Sequence, residues 1–249
     1  EKDSARDLLC SAMEQLDFGK SLVFVRINAL KTPFGEADVR AVVPAGVRNL
    51  RLAMCESPED VQRLAQLLDE VEEEHQIPHG SVKIQCSIET AKGVLNARET
   101  VKANPRVISL SFGAEDYTRS MGISRSKSAQ ELQFARMYLP VVAAEAGISA
   151  IDTVWSDLED EAGFEAEVNN AKALGFSGKS CIHPSQLAVV HRIYTPSEAE
   201  VVHARRVIEA MRAAEQAGVG VFTVDGKMVD APVVAKAQRV LLQIGEEVS

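Results

Sequence analysis

CSIETAKGV (86–94) and SLSFGAEDYTR (109–119) decide the fold of this chain. Each is an apolar run that stops at a carboxylate, Glu89 in the first and Asp116, preceded by Glu115, in the second. About one strand-plus-helix repeat separates them, so the two strand ends are predicted to lie side by side in a parallel sheet. The carboxyl ends of such strands share one rim, which carries the active site in barrels and open sheets alike. Two carboxylates there make a hard-oxygen site suited to Mg²⁺, with positions left for water and for a substrate that has oxygens to offer.

Outward from this pair, strand-like runs recur at 21–28, 49–54, 82–88, 107–112, 149–155 and 178–182. Helical patterns fall at 60–75, from Ala91 to Lys102, at 128–147 and at 164–175, and the chain opens on a helix-like stretch from Asp3 to Leu16. Gly147 and Gly175 stand where left-handed helix caps are usual, and Pro140 is expected to kink or break its helix. Near-continuous apolar strands predict burial on both sheet faces. Six strands are legible, two short of an eight-stranded barrel. After Pro184 the pattern turns helical, with a helix over 197–218, a hairpin-like piece over 218–232 turning at Asp225-Gly226, and a last helix from Val233 to about Glu246. The expected organisation is a β/α body over 1–186 and a lid or subunit-docking segment over 187–249.

With 249 residues, 46% of them hydrophobic, the chain can bury a large core without disulfides or metal staples. A net charge of −9 and the lack of an arginine- or lysine-rich run argue against a nucleic-acid partner. No apolar stretch reaches membrane-spanning length, and EKDSARDLL at the start has the features of neither a signal nor a transit peptide, so a soluble cytoplasmic protein is expected. Cys10, Cys55, Cys86 and Cys181 lack the close pairing of zinc or redox sites and read as buried free thiols.

Together with the acidic strand ends, VRINALKTPFG (25–35), GFSGKSCIHPSQ (175–186), YTPSEAE (194–200) and VDGKMVDAPV (224–233) resemble the citrate lyase β-subunit family, within the wider group of Mg²⁺-dependent hydroxyacyl-thioester lyases and 2-oxoacid aldolases that includes citramalyl-CoA lyases. The resemblance spans almost the whole chain in order. It implies a (β/α)₈ TIM barrel, with two further strands expected before those seen here, that cleaves a citryl-like or citramalyl-like thioester into an acetyl thioester and a 2-oxoacid, oxaloacetate or pyruvate. It implies Glu89 and Asp116 as ligands of Mg²⁺, or of Mn²⁺, and Arg26 as the clamp on the oxoacid carboxylate. Asp230 would be an acid or base on the lid, often offered to a neighbouring subunit. Lys179, Ile182, His183 and Pro184 would meet coenzyme A, largely through backbone groups. A homo-oligomer, trimer or hexamer, is implied, with an acyl carrier protein and transferase subunits as further partners in a lyase complex.

The bare sequence leaves alternatives for each residue. Glu89 can cap a helix, Arg26 can be an ion-pair partner, Asp230 can be a turn residue, and strand alternation alone does not choose Asp116 over Glu115. Asp152, Asp157 and the run Glu159-Asp160-Glu161 read as a strand end and a solvated loop. Where the family usually has Leu-Pro-Lys this chain has Leu52-Ala53-Met54, and the lost charge points to the less charged citramalyl-like substrate. A thioester-binding scaffold without catalysis, and an aldolase acting on free 2-oxoacids, are the competing functions.

Overall fold

The computed structural model describes residues 2–216, 218 and 221–246. The chain forms two compact units, Glu1–Gln186 and Leu187–Ser249. Among the described residues no helix is long and apolar enough to cross a membrane.

In the first unit six strands, β1 (Val25–Ile27), β2 (Asn49–Leu52), β3 (Lys83–Ile88), β4 (Val107–Phe112), β5 (Ser149–Asp152) and β6 (Gly178–Lys179), pair in parallel and in sequence order. A doubly wound sheet reverses its strand order at a switch point; unbroken order is that of a barrel wall. Among the described residues seven α-helices accompany the strands: α1 (Lys2–Gln15), α2 (Gly35–Val42), α3 (Pro58–Glu74), α4 (Ala91–Val101), α5 (Ala114–Met121), α6 (Gln133–Ala146) and α7 (Glu161–Leu174).

Alternation sorts the strand residues onto two faces. Ile27, Leu50, Leu52, Ile84, Cys86, Ile88, Leu110 and Phe112 join one core with Leu64 and Leu68 of α3, Ala97 of α4 and Leu139 of α6. Each such large side chain contributes roughly 1.5–3 kcal/mol by leaving water. The opposite face carries Arg26, Arg51, Gln85, Ser87, Ser109 and Ser111. The expected burial on both faces holds for β3 and β4, with a second face that is polar. Gln85, Ser87, Ser109 and Ser111 are buried, but among polar neighbours. Gln85 Nε2 donates to Ser109 Oγ at 3.0 Å, and the hydroxyls of Ser87 and Ser111 lie 3.4 Å apart.

Two expectations change. The segment after β4 is the helix α5, so Glu115 and Asp116 stand in its first turn and do not alternate along a strand. α6 runs through Pro140 without a break. Its buried face, with Ala135, Leu139, Val142 and Ala143, offsets the lost N–H, and Pro140 itself is buried.

In the second unit α8 (Leu187–Tyr194) is followed by α9 (Glu198–Gln216), the hairpin β7 (Phe222–Val224) and β8 (Lys227–Val229), and α10 (Ala231–Gln243). Val201, Ala204, Val207, Ile208, Val224, Val229, Ala237 and Leu241 form its core. Asp225 and Gly226 have φ of 53° and 73°, the left-handed pair that a tight hairpin turn requires. Ala217, Val219 and Gly220, at the join of the expected helix and hairpin, lie outside the described residues.

Candidate active site at the strand ends

Glu89 follows β3 directly and is buried. The helix after it is capped by Thr90, whose hydroxyl accepts the Gly93 N–H at 3.0 Å, so capping does not explain Glu89. Its Oε1 accepts the Met54 N–H at 2.6 Å. Met54 follows β2 in a left-handed conformation, φ 52°, that a β-substituted residue adopts only at a cost. The neighbouring strand end leaves the carboxylate room: a Cβ on Gly113 would lie 2.6 Å from Glu89 Cβ and 2.8 Å from Oε2.

The electrostatics suit a cation. Burial pushes the Glu89 carboxyl above its ordinary value and the charge of Asp116 adds to this, while the Met54 N–H, Arg51 and Arg26 act the other way. A buried carboxylate with a second one near it, both offering oxygen donors, fits a hard divalent ion. Asp116 is half-exposed and pairs with Arg119 at 2.5 Å. Glu115 turns elsewhere, to Arg125 at 2.7 Å, and lines a cavity of about 680 Å³ with Arg119, Lys127 and Trp155. Of the two acids in the first turn of α5, Asp116 is the one whose charge Glu89 feels.

Arg26 lies on β1 with its Cα partnered to Arg51 on β2, and Arg51 is in turn partnered to Gln85 on β3. Arg26 is exposed, and Arg51 donates through Nε to Ser87 Oγ at 2.8 Å. The strand end beyond Arg26 is held by Asp38 of α2, which accepts the Asn28 N–H at 2.9 Å, the Asn28 side-chain amide at 2.6 Å and Arg6 Nε of α1 at 2.9 Å.

The 179–184 stretch is more constrained than the sequence suggests. Lys179 is buried with its ammonium on Asp152 at 2.8 Å and Glu167 at 3.0 Å. Arg136 completes the cluster, 2.7 Å from Asp152. Asp152, read from sequence as a strand end, is fully buried in this network. The Ile182 N–H is taken by Gln186 Oε1 at 2.9 Å, and His183 Nδ1 lies 2.8 Å from Ser185 Oγ. Ile182, His183 and Pro184 keep exposed surfaces. Asp230, in the second unit, is exposed and caps α10 by accepting the Val233 N–H at 3.3 Å.

Sequence reasoning missed Arg51, the backbone of Met54 and the clearance at Gly113. Arg51 left a signal, a charge inside the apolar strand NLRL. The donor direction of Met54 and the contact at Gly113 left none. A second acidic cluster, Asp69, Glu72 and His79, brings potential ligand atoms within 4.8 Å of one another. Arg106 already neutralises it, with guanidinium contacts to Asp69 at 2.5 Å and Glu72 at 2.6 Å, at the amino end of the strands.

Residues 1–184 match the HpcH/HpaI aldolase/citrate lyase family. Citrate lyase subunit beta of Leuconostoc mesenteroides subsp. cremoris is 43% identical over 241 residues, covering 97% of this chain and 80% of that protein. The mitochondrial citramalyl-CoA lyase of Homo sapiens is 32% identical over 248 residues, covering 96% and 73%. Among solved structures, CitE from Mycobacterium tuberculosis in complex with magnesium, acetoacetate and coenzyme A aligns with a TM-score of 0.71 and 30% identity, covering 98% of this chain and 84% of that one.

Proposed function

Because the chain belongs to the HpcH/HpaI aldolase/citrate lyase family, we propose that it is a Mg²⁺-dependent carbon–carbon lyase that splits a citryl-like or citramalyl-like thioester into an acetyl thioester and a 2-oxoacid. The observation that carries this reading is the buried Glu89 carboxylate beside Asp116 at adjacent strand ends, on the same sheet face as two arginines.

Glu89 and Asp116 would hold the metal, Glu89 with Oε1 fixed by the Met54 N–H. When bound, Mg²⁺ supplies positive charge to the hydroxyl and keto oxygens of the reacting acid without needing a proton. Arg26 orients the substrate, because its planar fork binds both oxygens of a carboxylate. When the carbon–carbon bond breaks, the electron pair rests on the acetyl thioester as an enolate, whose carbon needs a proton. Asp230 is the donor in this reading, and its exposed carboxyl, tied among the described residues to the Val233 N–H alone, leaves it available. It serves the site of a neighbouring copy, so the active species is a homo-oligomer, trimer or hexamer. The exposed surfaces of Ile182, His183 and Pro184 would meet a coenzyme A nucleotide, and Lys179 holds that loop through its buried ion pairs. An acyl carrier protein with transferase subunits is the alternative thioester carrier.

The test offers citryl-, citramalyl- and malyl-coenzyme A in turn, with Mg²⁺ and with chelator. Cleavage of at least one that needs the metal supports the reading. Metal-independent cleavage, or none of any thioester, overturns it.

A further inference from the structure

We propose that Arg51 is a specificity-determining residue which, with Arg26, forms a two-arginine anchor selecting acyl groups that carry a second carboxylate, so that the 2-oxoacid released is a dicarboxylate. The inference rests on the lyase reading above and names its substrate class.

Arg26 and Arg51 are direct partners across β1 and β2. Paired strands run about 4.8 Å apart, and like charges set directly opposite one another on a sheet face destabilise it. The next residues at the same level are neutral, Gln85 on β3 and Ser109 on β4. Along this face of β1–β4, the nearby carboxylate is Glu89, already engaged by the Met54 N–H and facing Asp116. Two adjacent cations with a single shared acid have a deficit of negative charge.

Arg51 is also held in place. Its Nε is fixed on Ser87 Oγ, two positions beyond its own strand partner Gln85, so the side chain leans toward the carboxyl rim where Glu89 stands. No hydrogen bond or ion pair of its two terminal amino groups occurs among the described residues. Burial pulls the guanidinium below its ordinary value, the Glu89 charge opposes this in part, and Arg26 adds to the lowering. A half-buried guanidinium held by one nitrogen, with its other two left open, is arranged to receive an anion.

A 2-oxoacid monocarboxylate gives Arg26 its partner and leaves Arg51 without one. A dicarboxylate satisfies both, the second carboxylate lying on Arg51. The charge missing at Met54 is thus supplied by Arg51 three residues upstream, and the substrate preference read from Met54 alone is reversed.

Oxaloacetate and pyruvate differ by one carboxylate and are the probes. Their binding to the full chain in the presence of Mg²⁺ is measured by calorimetry for wild type, Arg51→Gln and Arg51→Lys, beside the cleavage of citryl- and citramalyl-coenzyme A. The expected result is a wild-type preference for oxaloacetate of at least about tenfold, near 1.4 kcal/mol. Arg51→Gln should shrink that preference to within roughly threefold, with Arg51→Lys between the two. If Arg51→Gln does not fold, Arg51→Lys decides by the same ratio. A preference for pyruvate, or equal weakening of both acids, overturns the role of Arg51 while leaving metal-dependent cleavage standing. Loss of cleavage of every thioester by wild type would instead remove the lyase reading, and this inference with it.

Discussion

The Met54 N–H and Glu89 Oε1 are 2.6 Å apart and join the ends of β2 and β3. The bond uses a left-handed backbone at Met54 to aim a donor at one carboxylate oxygen. Glu89 therefore presents its second oxygen from a fixed position. A preorganised ligand of this kind costs less ordering entropy when a metal binds.

Gly113→Ala should impair the metal site without unfolding the protein. Gly113 has φ of −111°, which any residue adopts, yet an added Cβ would lie 2.6 Å from Glu89 Cβ. Glu89 must shift, and Mg²⁺ affinity should fall by roughly ten- to a hundredfold. Metal titration beside thermal melting checks this. Unchanged affinity would mean that Glu89 tolerates the displacement or does not bind metal.

Asp230→Asn should destroy turnover while sparing both fold and Mg²⁺ binding. Asn caps a helix about as well as Asp, so α10 should keep its start. Mixed oligomers of Asp230→Asn and Glu89→Gln should regain activity, because some sites would combine the two wild-type groups. No recovery, with subunit exchange demonstrated, would show that Asp230 serves its own chain or takes no part.

Arg26→Lys should raise the Kd for the 2-oxoacid product by roughly tenfold, since a point charge replaces a two-pronged donor. Equilibrium titration reads it. An unchanged Kd would remove Arg26 from the clamp.

Glu72 predicts an acid limit to stability. Burial opposes its ionisation, but Arg106 and the Val82 and Gly80 N–H groups outweigh that and lower its pKa from 4.5 to about 2. A carboxyl depressed by folding stabilises above its unfolded pKa, and that contribution disappears as pH falls through the folded value. The window is therefore pH 4.5 down to about 2. The contribution is on the order of 2 kcal/mol, allowing for solvent near Asp69. Glu72→Gln should be less stable at pH 7 and show a flatter loss across this window in denaturant titrations. A parallel loss in both proteins would contradict the assignment.

The six strands and their order were legible because an apolar run closed by a turn or a carboxylate leaves few other readings. The polar sheet face was harder to see: Arg51 and Gln85 alternate with Leu50, Ile84 and Cys86, and their polarity is diluted within apolar runs. α5 was hidden because it is only eight residues long and starts two residues after β4 ends, so that only the first-turn acids after Gly113 mark its start. The buried cluster of Lys179, Asp152, Glu167 and Arg136 joins residues 43 positions apart, and nothing local announces it.

Binding of Mn²⁺, followed by electron paramagnetic resonance, tests most directly whether Glu89 and Asp116 hold a divalent metal. Wild type should bind one ion per chain, and Mg²⁺ should displace it. Glu89→Gln should lose that ion while keeping its fold by circular dichroism, whereas Asp230→Asn should retain it. Full Mn²⁺ binding by folded Glu89→Gln would contradict the account.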